Sequence, residues 1–159
     1  MVLVLALPVL LAGALWLWQA QELGEAEDAR AEDSAVVNAA TALTLAWASV
    51  DHREVDEYVE TVRAGATGDF LQEFENAEPF LRQTLKANKS VQVPTIPKDG
   101  AALLERSGEE ARVIVAMDAA VTNKQTQRPQ ARQYRLQVTL RNESGEWLVS
   151  GLEFIDEAA

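Results

Sequence analysis

QYRLQVTLRNESGEWLVSGLEFI, residues 133–155, decides the fold. Tyr134, Leu136, Val138 and Leu140 alternate with polar residues, the period of a strand with one buried face. NESGE (142–146) reads as a tight turn, and WLVSGLEFI (147–155) returns as the next strand. Upstream, RVIVAMDAAVT (112–122) alternates as well: Val113, Val115, Met117, Ala119 and Val121 stand against Arg112, Ile114, Ala116 and Asp118. The polar stretch NKQTQRPQA (123–131) joins it to the strand at 133. Three long strands in succession predict an antiparallel meander.

Outward from the meander the signals weaken. VQVPTIP (91–97) has strand character, and Pro94 and Pro97 confine it to a sheet edge because proline cannot donate to a ladder. AALLE (101–105) suits strand or helix equally. Before Lys89 the period lengthens. Phe70, Phe74, Ala77, Leu81 and Leu85 form one helical stripe, with Pro79 inside it predicting a kink or a split. Val55, Tyr58, Val59 and Val62 form a second stripe, which Asp51 would cap and Gly65 and Gly68 would end. Val36, Ala40, Leu43, Trp47 and Val50 form a third. Helices first and strands second give an α+β domain over 34–156, with three helices on one face of a curved antiparallel sheet that closes into a cone.

Two segments precede that domain. MVLVLALPVLLAGALWLW (1–18) holds no charge. At about 1.5 Å per residue it makes a helix of roughly 27 Å, close to the roughly 30 Å of a bilayer core. Val2, Leu3, Leu5, Leu7, Leu10, Leu11 and Leu15 would face lipid, with Trp16 and Trp18 at headgroup level. A cleaved signal peptide would need a basic start and a small-x-small cleavage site, whereas no Lys or Arg precedes Arg30 and QAQELGEAE offers no such site. The expectation is a transmembrane anchor over 1–20. Residues 21–33 are rich in Ala, Glu and Asp, which predicts a solvated helical stalk. The acidic side would lie outside the cell, giving a single-pass membrane protein with an extracytoplasmic C-terminal domain.

Composition excludes several classes. A net charge of −11 repels phosphate backbones, so nucleic acid is not an expected partner. The absence of Cys removes disulfides, thiolate metal sites and thiol nucleophiles, and a single His removes His-rich metal sites. No cofactor is expected. The acidic groups at 25–28 and 109–110 lack the loop of a calcium site, and the sequons at Asn88 and Asn142 are three-residue patterns of little weight.

Three stretches in a fixed order carry a resemblance. SVDHREVD places Asp51, Arg53, Val55 and Asp56; ATGDFLQEF places Thr67, Gly68, Phe70 and Phe74; GEWLVSGL places Gly145, Trp147, Val149 and Leu152. With the anchor and Tyr134 in YRLQVTLR, this order resembles the actinobacterial Mce-associated membrane proteins over about 34–155. His52 departs from the pattern, where an aromatic is more usual, as does the lack of a basic segment before the anchor. The resemblance implies a nuclear-transport-factor-2-like or cystatin-like cone. It also implies a non-enzymatic accessory of a lipid-import complex, with the bilayer and Mce subunits as partners and a homo-oligomer left open.

From the residues themselves, Thr67-Gly68 reads as a helix cap and turn, and Phe70, Phe74 and Trp147 as core. Asp51 and Asp56 read as cap and surface. Two further functions stay open: a type IV secretion or conjugation assembly factor, which shares anchor, stalk and cone, and an enzyme or lipid-binding domain of the ketosteroid-isomerase shape. The isomerase reading needs an inward carboxylate and a hydroxyl donor, for which Asp118 with Tyr58 or Tyr134 would serve. Asp118 shares a strand face with Arg112, opposite the apolar set, and His52 reads as a lone exposed histidine.

Overall fold

The computed structural model describes residues 27–126 and 128–155. The chain divides into two units, Met1–Ser34 and Ala35–Ala159. In the first, residues 27–34 are helical and mostly exposed. The apolar run 1–18 with its proposed anchor residues, and the first part of the stalk, lie outside the described residues. Among the described residues no helix is long and apolar enough to cross a membrane.

Helix α1 occupies 27–48, and its part from residue 35 belongs to the second unit. Strand β1 (Val50–Asp51), helices α2 (Val55–Ala64) and α3 (Gly68–Asn88), and strands β2 (Val91–Thr95), β3 (Ala101–Ser107), β4 (Glu110–Thr122), β5 (Gln130–Glu143) and β6 (Glu146–Phe154) follow. The sheet order is β1-β2-β4-β5-β6, with β3 also paired to β4, and all these pairings are antiparallel. The domain is α+β: helices on a curved antiparallel half-barrel.

The alternation in the meander translates directly into burial. Val113, Val115, Leu136, Val138 and Leu140 have no exposed surface, and Met117 and Val149 almost none. Fully burying one such side chain is worth roughly 1.5–3 kcal/mol. Val36, Ala40 and Leu43 of α1 and Val55, Val59 and Val62 of α2 close the core from the helical side. The β5–β6 hairpin turns on Ser144 (φ 57°) and Gly145 (φ 93°), and the Asn142 side chain accepts the Gly145 N–H at 2.9 Å. Two consecutive positive φ angles match the strand twist of a two-residue hairpin, so glycine suits the second position.

Several expectations are corrected. Pro79 neither splits nor ends α3, which runs unbroken from Gly68 to Asn88. Glu75, four residues back, and Pro79 itself are both exposed, so water can serve the carbonyl that proline leaves without a donor. Asp51 does not cap α2, whose N-cap position is Glu54; Asp51 ends β1 instead. Strand β2 is only partly an edge: β1 flanks Val91 and Gln92, and Pro94 lies beyond that short pairing. A bulge at Ser150 shifts the phase of β6, so that Trp147 and Val149 are followed inward by Leu152, opposite Val138, and Phe154, opposite Leu136. The outer edge of β6 is covered by the α2–α3 link. Val149 N–H donates to Gly65 O at 2.9 Å, and Thr67 N–H donates to Val149 O at 2.8 Å.

Candidate functional site

Where α1, α2 and α3 meet the ends of β5 and β6, the core does not close over. A groove of about 500 Å³ remains, lined by Trp47, Val50, Tyr58, Phe70, Glu73, Phe74, Ala77, Phe80, Leu81, Gln92, Tyr134, Leu152 and Phe154. Its rings form a connected set. Tyr58 meets Phe74 edge-on with centroids 6.1 Å apart, and Phe70 stacks on Phe74 at 6.5 Å. Phe154 lies 6.0 Å from both Trp47 and Tyr134. Tyr58, Phe70 and Phe74 are buried in the floor, whereas Phe80 is 74% and Phe154 55% exposed at the rim. The α3 stripe supplies one wall, and the bulge in β6 turns Leu152 and Phe154 into the other.

The Tyr58 hydroxyl and the charges between α2 and α3 are committed to structure. Tyr58 Oη donates to the Trp47 carbonyl at 3.1 Å, satisfying a group that the end of α1 leaves without a helical partner. Burial pushes the Tyr58 hydroxyl up to about 12, so it remains a donor. Arg63 binds Glu60, Glu75 and Glu78 at 2.6, 3.1 and 2.8 Å, and Arg82 binds Glu78 at 2.6 Å and also Asp56. This network ties α2 to α3. The Glu78 and Asp56 carboxylates hold the Arg82 guanidinium even more firmly charged than usual.

The residues singled out in the sequence separate into distinct places. Phe70, Phe74 and Tyr134 enter the groove. Asp51 accepts the Arg53 backbone N–H and Nε–H, both at 2.9 Å, and Arg53 Nη2 as well. These bonds hold the Asp51 carboxyl well below the ordinary carboxylate range. Thr67 is the N-cap residue of α3, yet its hydroxyl donates to Glu143 Oε1 at 2.7 Å and accepts no N–H of the helix. Gly68 has a positive φ of 57°. Trp147 and Val149 are buried on β6, away from the groove. His52 is not a free surface histidine: its ring is 24% exposed and Nδ1 lies 3.6 Å from Asp51 Oδ1.

The isomerase pairing is not assembled. Asp118 is exposed and accepts Gln133 Nε2–H at 3.1 Å, on the face opposite the buried Met117 and Ala119. The Tyr58 hydroxyl is taken by Trp47. Glu73 is the carboxylate that lines the groove. Among the described residues no three His, Cys, Asp or Glu side chains cluster as a metal site. Trp47, Phe80, Gln92 and Phe154 escaped the sequence reading as site residues. A signal existed for Phe80, a large aromatic standing off the α3 stripe beside Leu81.

Comparison with known proteins bears on this site. A family model described as uncharacterized protein Rv1363c/MT1408-like matches residues 1–156. The chain belongs to this family. A relative of that description, uncharacterized protein Rv1363c of Mycobacterium tuberculosis, is 28% identical over 107 residues. The match takes in 67% of this chain and 40% of that protein, so this chain spans about 40% of the relative's length.

Solved structures share the fold at low identity. The periplasmic domain of DotI matches with a TM-score of 0.65 and 14% identity, over 79% of this chain and 96% of that one. An IcmL-like type IV secretion system protein from Legionella pneumophila matches at 0.56 and 13%, over 77% and 93%. A ketosteroid isomerase-like protein from Erwinia carotovora matches at 0.53 and 18%, over 79% and 98%. The cone is therefore of the nuclear-transport-factor-2 and ketosteroid-isomerase kind.

Proposed function

We propose that this protein is a non-enzymatic, membrane-anchored accessory subunit that stabilises or assembles an Mce-type lipid-import complex, with its cone outside the cell. The observation that carries the reading is the character of the groove. Buried side chains fill the core between helices and sheet, and the groove beside it is an aromatic surface trough without an inward base and donor pair. Such a surface suits binding better than turnover. The order of the three sequence stretches supports the Mce assignment, the family's mycobacterial member is consistent with it, and the uncharged run 1–18 supports the anchor.

The test is deletion of the gene. Steady-state Mce subunits and uptake of their lipid should both fall, and the anchored domain should restore both. Normal subunit levels and normal uptake would refute the reading. A second reading, a secretion-type assembly factor, is favoured by the shared cone of DotI and the IcmL-like protein. It would be indicated if the deletion instead impaired export or conjugation.

A further inference from the structure

We propose that the aromatic groove is a docking site for an amphipathic helix of a protein partner that carries Lys or Arg on the flanks of its apolar face. The inference takes its occupant to be a protein from the accessory-subunit reading, and adds that partner's chemistry.

Phe70, Glu73, Phe74, Ala77, Phe80 and Leu81 recur at the spacings of one helix face and all line the groove. From 70 to 81 the stripe is about 16 Å long at about 1.5 Å per residue, or three turns of an open helix wall. Phe154 faces it from β6. The most exposed rings of the domain stand together on an otherwise acidic chain, the mark of an interaction surface and not of scattered surface apolarity.

None of the described residues lining the groove is cationic. At one end, through Phe70, Glu73 and Leu152, the groove merges with a depression of about 400 Å³ that holds Asp69, Glu110 and Glu153. The cation there, Arg141, stands 3.9 Å from Glu110. Tyr58 in the floor is shared with a smaller depression lined by Glu54, Glu57 and Asp51, the last of them paired to Arg53. An apolar trough bordered by an excess of carboxylates repels a fatty-acid carboxylate or a lipid phosphate. It complements a helix with an apolar face and basic flanks, which long-range attraction would also steer into place.

The experiment uses the full chain in its own cells, with the photo-crosslinker benzoylphenylalanine placed at position 80 or, in a second strain, at 154. Both positions are exposed, so the fold is preserved. After irradiation the adduct is sequenced by mass spectrometry. The expected product is a partner segment whose helical pattern puts apolar residues on one face and Lys or Arg beside them. A Glu73→Lys/Glu153→Lys variant should lower the yield roughly tenfold by reversing the field at one end. An adduct to lipid, to a second copy of this chain or to a segment lacking Lys and Arg would overturn the proposal. So would a yield indifferent to the charge reversal, or no adduct from either position. If crosslinking fails while deletion still depletes Mce subunits, only the groove assignment falls. If a basic helix is captured while those subunits stay at normal levels, only the Mce reading falls.

Discussion

Replacing Tyr58 by Phe should reverse the order of stability between variant and wild type as pH rises. At pH 7 the variant loses the hydrogen bond to the Trp47 carbonyl and is less stable by about 1 kcal/mol. The ring stays, so the packing against Phe74 is kept. The wild-type hydroxyl ionises near 10 when unfolded and is raised to about 12 when folded. An acid raised on folding holds its proton more tightly in the native state. The native form therefore gains nothing extra below pH 10, and stability is lost as pH climbs from about 10 to 12. Two pH units at about 1.4 kcal/mol each give a total loss of about 2.7 kcal/mol, and about 1.4 kcal/mol of it has gone by pH 11. That exceeds the cost of the missing bond, so the Phe variant should become the more stable protein near pH 11. Urea denaturation followed by tryptophan fluorescence at pH 7, 9, 10, 11 and 11.5 would measure the difference. A wild-type-minus-variant difference that does not change between pH 9 and 11.5 would show that the hydroxyl is not buried on that carbonyl.

Truncating Trp147 to Ala, at a site 9% exposed, should cost about 3–5 kcal/mol in chemical denaturation, and a loss below about 1 kcal/mol would place the ring at the surface. Gly100→Ala should cost about 1–3 kcal/mol in the same assay, because its Cβ would stand 2.8 Å from the Ala116 carbonyl and 2.9 Å from Pro97 Cδ; an unchanged midpoint would contradict that close approach. Asp118→Asn should shift stability by less than about 0.5 kcal/mol and leave complementation of the deletion strain intact, since the carboxylate is exposed on the outer face. A folded Asp118→Asn protein that fails to complement would revive the isomerase reading.

The meander was legible because one buried face imposes period two, and Tyr134, Leu136, Val138 and Leu140 obey it without interruption. The bulge was not legible: Trp147 and Val149 lie in odd register and Leu152 and Phe154 in even, and only Gly151 hints at the change. β1 is two residues long and carries no periodic signal, so the pairing that partly covers β2 had no trace in the sequence. Pro79 misled because a rule about hydrogen bonds inside a helix weakens where water can serve the open carbonyl. The groove itself was legible only in pieces. Its walls come from α1, α2, α3, β2, β5 and β6, and no local pattern joins Trp47 to Phe80 or Phe154. Sequence reading placed Phe70 and Phe74 in the core, and both are buried, as is Leu85 of the same stripe; Ala77 lies open and Leu81 only half-covered at the groove.

The central claim is that the protein acts by holding a complex together. Its most direct test is the lifetime of Mce subunits, followed by pulse labelling and chase in wild-type and deletion strains. An accessory subunit predicts unchanged synthesis and a clearly shortened half-life in the deletion strain, restored by the anchored domain with or without Asp118→Asn. Unchanged half-lives in a strain that has lost lipid uptake would contradict the claim, because the subunits would then persist without this protein and its contribution would lie in transport or chemistry.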